Sequence, residues 1–558
     1  MVRATFSGFN TALSALQANQ KRLDITGQNL SNMNTAGYTR QQLEASSLNY
    51  TNPVSHYSNG NETAVGFGVS MDRVSQIRDP YLDIQYRSQS ADCSYTNRLQ
   101  TALNSLSKVL DETTISGIRQ AFDDIQSTLT SMQDPAKVSD PIYESELRTK
   151  MQSVCNLFNQ ASRQITQAEQ NEFQRLTGEG SSEQGDVQKI NDILRQIGDL
   201  NVQIKRNQVA GHPSLELQDE RNLLLDELSG YIPVETRYYK DDAHSGNNAY
   251  DYDANGAVIG KKDWPDDLEV SMNYIDAQGK SQKLILVNGS DLGADGLTKN
   301  YGQLSVLKGD HQTAASVSDP ANISIKFEKA PSYKGNGQAA ADVYAELKGI
   351  HFEGGSLQAS LDMLQKTGTG NVINGSTAVD DVRGYQYYSG KLDQLASTFA
   401  KSMNKINNGN KNPKDQNLLS NSTDDSTTGI TAGNIGISKG WTSGTIHIST
   451  DGTNRTDTIL DMIAAMKDTK KLNGKTFADY MNNLSTQLAS DSSSNQTALK
   501  TGTTVLNSIQ DSRDSLSGVS LDEEATNMMA YVSAYNAASR LMTALDEVLN
   551  TLISNTGA

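Results

Sequence analysis

FSGFNTALSALQANQKRLDITGQNL (6–30) and its counterpart at the other end, LDEEATNMMAYVSAYNAASRLMTALDEVLNTL (521–552), decide the fold. In the first, Phe6, Phe9, Leu13, Leu16, Gln20, Leu23, Gly27 and Leu30 advance by three and four residues without a break. In the second, Leu521, Ala525, Met528, Val532 and Tyr535 do the same, and the pattern resumes through Ala538, Met542, Leu545, Leu549 and Leu552. Such spacing draws one seam along a helix. End segments of globular domains usually fray, so two seams at the two termini predict helices paired with each other as a coiled coil. Charge favours the same pairing. Residues 1–40 carry four bases and one acid, net +3, and residues 519–558 carry one base and five acids, net −4. Opposite signs select the unlike end over a second copy of the same end.

The N-terminal seam is nevertheless weak. Its six apolar residues contribute roughly 1.5–3 kcal/mol each when fully buried. Ordering the backbone costs on the order of 1–2 kcal/mol for every residue of the helix, and Gln20 and Gly27 add almost no apolar area. The pair needs neighbours, either a domain of the same chain or copies of itself. Ends that gain order on assembly are the expectation.

The chain has 558 residues and a mass of 60.5 kDa, enough for several domains. Only 36% of it is hydrophobic, with a mean hydropathy of −0.55. A net charge of −17 and a pI near 4.9 argue against nucleic acid or an anionic membrane as the main partner. No apolar run reaches the roughly 18 residues that a membrane span needs. The opening MVRATFSGFNTALSAL lacks the continuous apolar stretch of a secretory signal, which on residues alone reads as cytoplasmic. Cys93 and Cys155 have no CxxC spacing and read as free thiols.

Between the ends, the chain divides into helical blocks around a β-rich stretch. Asp79–Pro80 opens a long helix, with Leu99, Leu103, Leu106 and Leu110 on one face, expected to end near Asp134–Pro135. Pro141 opens a second. Ile190, Ile193, Ile197, Leu200 and Ile204 form the strongest stripe, and a shorter helix carries Leu223, Leu224 and Leu228. LEVSMNYI (268–275), the turn DAQGK (276–280) and KLILV (283–287) spell a hairpin, and ISIKF (323–327), VYAEL (343–347) and GTIHIS (444–449) are further strand candidates. Trp264 and Trp441 suggest small-domain cores.

The fold class read from this is mainly α with a β insert: elongated and multi-domain, with a nested helical domain and an outer β domain. Residues 1–45 form the N-terminal half of the terminal coiled-coil domain, 46–235 the first half of the helical core and 236–351 the inserted β domain. Residues 352–516 form the second half of the core, with a small strand-containing stretch at 407–455, and 517–558 complete the coiled coil. The insert reads as a separable bump.

No catalytic, cofactor or metal site is expected. GYQYYSGK (384–391) has one residue too many between its glycines for a phosphate loop, and Leu392 stands where a hydroxyl would meet magnesium. The six histidines are scattered, without HExxH spacing. Asp123–Asp124 and Asp266–Asp267 read as solvated carboxylates rather than acid–base pairs.

Two terminal motifs carry a resemblance. QNLSNMNTAGYTRQ (28–41) resembles the N-terminal signature of the bacterial flagellar rod, hook and hook-associated axial proteins, through Asn29, Asn32, Thr35, Gly37 and Tyr38. SGVSLDEEATNMMAYVSAYNAASRLM (517–542) resembles the C-terminal signature. Physically, Gly518 breaks one helix, Ser520 caps the next, and Glu523 stands at the capping-box position. Asp522, Glu523 and Glu524 sit on the positive end of the helix dipole. With long helices in the middle of the chain, it most resembles the hook-associated branch of that family.

The resemblance implies a non-enzymatic junction protein that joins hook to filament by self-polymerisation. Implied partners are copies of itself, the hook protein, a second hook–filament junction protein and an export chaperone on the C-terminal helix, with no nucleic acid and no membrane. The implied location is the extracellular flagellum, reached through the flagellar type III system without a cleaved signal peptide. Implied assembly residues are Phe9, Leu13, Leu16, Leu23, Asn29, Leu30, Asn32, Thr35, Gly37 and Tyr38 at one end. At the other they are Ser520, Leu521, Glu523, Glu524, Met528, Val532, Tyr535, Met542, Leu545 and Leu549. The alternatives are another rod- or hook-type axial protein, or a surface adhesin acting through the β insert.

Overall fold

The computed structural model describes residues 6–48, 68–110, 117–138, 140–240, 250–252, 258–261, 266–276, 279–289, 299–330, 343–345, 350–368, 372–373, 376–377, 382–409, 416–450 and 453–556. Helix α1 (Phe6–Asn32) leads into a hairpin of β1 (Gln41–Ser47) and β2 (Val69–Gln76), antiparallel with Gln41 opposite Gln76. The helical body follows: α2 (Pro80–Leu110), α3 (Ile118–Ser131), α4 (Pro135–Val138), α5 (Pro141–Thr177), α6 (Asp186–Val209) and α7 (Leu215–Tyr231). Strands β3 (Glu235–Lys240), β4 (Tyr250–Tyr252), β5 (Val258–Lys261), β6 (Asp266–Ile275) and β7 (Ser281–Asn288) come next. After them come β8 (Gln303–Lys308), β9 (Ile323–Glu328) and β10 (Val343–Ala345). Helices return with α8 (Ser356–Gln365), the short strands β11 (Val372–Ile373) and β12 (Ser376–Thr377), and α9 (Tyr385–Asn408). The chain closes with β13 (Leu419–Asn421), β14 (Ile435–Ile437), α10 (Lys439–Ser443), α11 (Asp457–Met466), α12 (Phe477–Ser517) and α13 (Leu521–Thr556). The molecule is mainly helical with antiparallel sheets.

Local chemistry explains most element boundaries. Asp140 caps α5 by accepting from the Ile142 N–H, with Pro141 at the first helical position, and Gly178 ends that helix in the left-handed region. The isoleucine stripe of α6 is buried along its whole length. The expected hairpin forms, with Met272 opposite Leu284, and Asp276 N–H donates to Lys280 O across the turn at 3.0 Å. Phe122, Phe399 and Phe477 pack at the heart of the helical body, Phe122 and Phe399 edge to face at 5.2 Å.

Three expectations need correction. The long helix opened by Pro80 ends at Leu110, and α3 is a separate helix with its own buried face, Phe122, Ile125 and Leu129. GTIHIS (444–449) is not a strand. Its backbone is held by an asparagine instead: Asn407 Nδ2 donates to His447 O at 3.1 Å, and its Oδ1 accepts from Ser449 N at 2.8 Å. Alternation there records Ile448 dipping into the core, with the hydrogen bonds supplied by a side chain. In α7 the buried face is Leu225 and Leu228, leaving Leu223 48% exposed. Trp441 is a core residue, with Nε1 donating to Glu144 Oε1 at 2.8 Å, while Trp264 lies outside the described residues.

The β region is not a detached bump. Sheet β3-β6-β7 and sheet β10-β9-β8 bury Leu268, Val270, Met272, Ile325 and Phe327 in one apolar cluster continuous with the helices. Asparagines stitch the seam. Asn191 accepts from Leu304 N and donates to Leu304 O, and Asn201 Nδ2 donates to Leu268 O and Gly289 O. Asn300, from the β side, donates to Gly198 O at 3.0 Å.

Candidate assembly site

Helices α1 and α13 pack antiparallel in constant register. Leu545 lies against Gly8, Arg22 stands over the Tyr531 ring at 5.6 Å, and Asn29 bonds Glu524 at 3.4 Å. The residues buried on α1 are Ala12, Ala18, Asn19, Ile25, Thr26 and Asn29; on α13 they are Glu524 and Ala538. Small and polar side chains close this pair, with Leu545 of the sequence pattern seated against Gly8. The large residues of the α1 pattern sit beside it: Phe9, Leu16, Leu23 and Leu30 are half-buried, and Leu13 is 46% exposed. On α13, Leu521, Val532 and Tyr535 are exposed, while Met528, Met542, Leu545 and Leu549 are half-buried. The face turned inward on α1 lies one residue away from the leucine stripe.

A polar joint forms where four helix ends meet: the C-termini of α1 and α12 and the N-termini of α2 and α13. Asn29 is its hub. Its Nδ2 donates to Gln41 O at 3.0 Å, and its Oδ1 accepts from Gln41 N at 3.0 Å and from the Tyr38 hydroxyl at 2.9 Å. Arg40 spans the two ends of the chain, with Nη1 2.7 Å from Glu523 and Nε 3.1 Å from the buried Glu524, while its own N–H donates to Ser517 O. Asn32 accepts from Thr35 at both backbone and hydroxyl, forming the turn that leads to Gly37. Gly37 has φ 79°, a left-handed conformation that suits glycine. Ser520 begins α13 by accepting from Glu523 N–H at 3.5 Å, but the Glu523 carboxylate turns to Arg40 instead of closing a capping box.

A second layer anchors the joint to the body. Arg513, near the end of α12, bridges Asp83 at 3.1 Å and Asp226 at 2.7 Å and lies 4.2 Å over the Tyr86 ring. Arg87 meets Asp226 from the other side at 2.8 Å, and Arg78 pairs with Asp83. Asp219 accepts from Thr39 N–H at 3.1 Å. Burial raises the Asp219 carboxyl to about 6 against the opposing pull of Thr39 and Arg78. Burial also lifts the Tyr38 hydroxyl to about 12, helped by Asp219, Glu216 and Glu524. Nothing in the pattern of α12 marks Arg513, because its partners come from α2 and α7.

This chemistry holds elements together. Among the described residues no group of three or more His, Cys, Asp or Glu side chains is placed to hold a metal ion, and no helix is long and apolar enough to cross a membrane. Cys93 and Cys155 are both buried, and burial raises the Cys155 thiol to about 12. Gly384 is the N-cap of α9, so the GYQYYSGK stretch is the start of a helix rather than a loop.

Residues 103–416, more than half of the chain, match the family described as flagellar hook-associated protein FlgK helical domain. The chain belongs to the flagellar hook-associated protein FlgK family. The ends match wider families: residues 9–39 the flagella basal body rod protein family, and 512–555 the C-terminal family of flagellar basal body rod FlgEFG proteins. The joint is thus built from residues of both terminal matches. Flagellar hook-associated protein 1 of Bacillus subtilis is 29% identical over 569 residues, covering 99% of this chain and 99% of that relative. The Salmonella typhimurium protein of the same name is 29% identical over 230 residues, covering 40% of this chain and 38% of the relative. The hook junction protein FlgK of Burkholderia pseudomallei overlays 61% of this chain and 45% of that one, with TM-score 0.37 and 19% identity, a likeness too loose to add weight. The family is a structural one, not an enzyme family.

Proposed function

We propose that the chain joins the flagellar hook to the filament as a self-polymerising axial subunit, with its terminal helices paired as a coiled coil in the wall of the assembly. The observation that carries this reading is the joint, in which motifs 495 residues apart close on each other through Asn29 and Glu524. A chain whose two ends must meet before either is satisfied is suited to building from its ends. The pair uses small residues for its own contact and leaves Leu13, Leu521, Val532 and Tyr535 outward. Those side chains, with Phe9, Leu16, Leu23, Leu30, Met528, Met542, Leu545 and Leu549, are the proposed contacts between copies. Asn32, Thr35, Gly37, Tyr38 and Ser520 hold the joint in shape.

Further partners in this reading are the hook protein below, a second junction protein above, and an export chaperone on α13 before secretion through the flagellar type III apparatus. An acidic helix with exposed apolar residues is a suitable client for such a chaperone. The test is genetic. Deleting the gene should leave bare hooks and flagellin shed into the medium, and the full chain supplied in trans should restore filaments. Filaments of normal length on the deletion strain would overturn the assignment.

A further inference from the structure

A groove of about 750 Å3 runs along one side of the terminal pair. Leu13 and Leu16 of α1, Leu43 and Val74 of the hairpin, Met71 and Tyr535 make its apolar floor, and Lys21 stands on its lip. Leu13 is 46% exposed, Met71 42% and Tyr535 36%, so the described part of the chain leaves this floor open. Around α13, Leu541 (49% exposed) and Val548 (58% exposed) form a second apolar stripe, flanked by the exposed small residues Ala534 and Ala537. At 3.6 residues per turn, this stripe lies roughly 120–140° round the helix from Tyr535. Groove and stripe therefore open on different sides of the same pair.

We propose that the groove receives the Leu541–Val548 stripe of a second copy of this chain, making a head-to-tail contact. The proposal rests on the polymerising role above and names the surfaces that would serve it. Dimensions agree: Leu541 and Val548 are about 10 Å apart along a helix, and the groove wall from Leu13 to Asp24 spans about 16 Å. Ala534 and Ala537 let a helix approach closely. Charge agrees as well. Lys21 on the lip and Glu547 beside the stripe make no ion pair among the described residues, and docking brings these opposite charges to one interface. Because the two surfaces differ and face different ways, the contact is heterologous and continues from copy to copy instead of closing a two-fold dimer.

The test uses the full chain carrying Met71→Cys and Val548→Cys in a strain lacking its own copy. Both native thiols are buried and remain silent. Oxidation of isolated hook–filament junctions should give a ladder of dimers, trimers and higher species, absent from either single variant. Lys21→Glu and Glu547→Lys should each shorten or abolish filaments, and their combination should restore them. Normal filaments with no cross-link, or cross-linked dimers with no ladder, would overturn the groove assignment and leave the axial role standing. If the double-cysteine chain fails to assemble, the charge reversals decide: two defects without mutual rescue sink the proposal. A wild-type chain that never reaches the hook tip would instead overturn the functional reading beneath it.

Discussion

Asn29 does with a side chain what a strand neighbour does with its backbone, bonding both the N–H and the C=O of Gln41. Asn29→Ala leaves both of those groups and the Tyr38 hydroxyl short of a partner in a buried site, and loses the contact with Glu524. An unpartnered buried polar group costs about 1–3 kcal/mol, so denaturant melts should show a loss of that order, with filament growth impaired. Glu169 gives a pH test. Burial raises its carboxyl to about 7, although Gln386 donates to it at 2.7 Å. The folded chain then holds a proton that the unfolded chain has released, so this group's contribution to stability falls as pH rises from about 4.5 to 7. Glu169→Gln should flatten that window and stabilise the protein above pH 7 by on the order of 2–3 kcal/mol. Unchanged melts of the variant across pH 5–8 would contradict this account. The motif residues were legible through their resemblance to the axial-protein signature, since their physical pattern alone reads as a capped helix end. Arg78, Asp219 and Arg513 were not, since each acts through partners far away in sequence.

At the scale of elements, the seams located both terminal helices and, through Ala538 and Leu545, part of the face of α13, but not the face α1 turns inward. Periodicity detects large apolar residues, whereas this pair closes on Gly8, Ala12, Asn19, Thr26 and Ala538. The same happens between α2 and α12, where Gln100 donates to Ser492, Asn495 donates to Thr96 O, and Gly502 lets Cys93 approach. Small residues permit close helix contact without leaving an apolar signature. The two glycines of α1 differ accordingly. A Cβ on Gly8 would lie 3.3 Å from Leu545, whereas one on Gly27 meets nothing within 4 Å. Gly27→Ala should therefore stabilise α1 by about 0.5–1 kcal/mol through helix propensity alone. Limited proteolysis of the monomer checks it: the N-terminal segment should be cut more slowly than in the parent. Faster cutting would mean that α1 of the monomer bends or packs at Gly27 in a way that a Cβ disturbs.

At the scale of the molecule, helices before and after a β-rich stretch were legible, and its independence was not. Strand alternation says that one face is covered but not by what, and here the cover is α6. Gly198 in the middle of α6 is the clearest sign: a Cβ there would lie 2.5 Å from Asn300 Oδ1, so the β side presses directly on that helix. Replacing residues 236–351 with a short Gly/Ser linker changes loop-closure entropy only slowly with length. It also removes the backbone partners of Asn191 and Asn201, and takes Leu268, Val270, Met272, Ile325 and Phe327 out of the apolar cluster they share with the helices. Each stranded polar group costs about 1–3 kcal/mol and each buried apolar side chain lost from the cluster about 1.5–3 kcal/mol. Together these approach the whole stability of an ordinary domain, about 5–15 kcal/mol. The truncated chain should lose its cooperative melt and become protease-sensitive through α6 and α7, while α2 and α12, which pack on each other, keep more of their helix. A truncated chain melting as sharply as the parent would show that α6 closes without the sheet, and would make the β region an appendage after all.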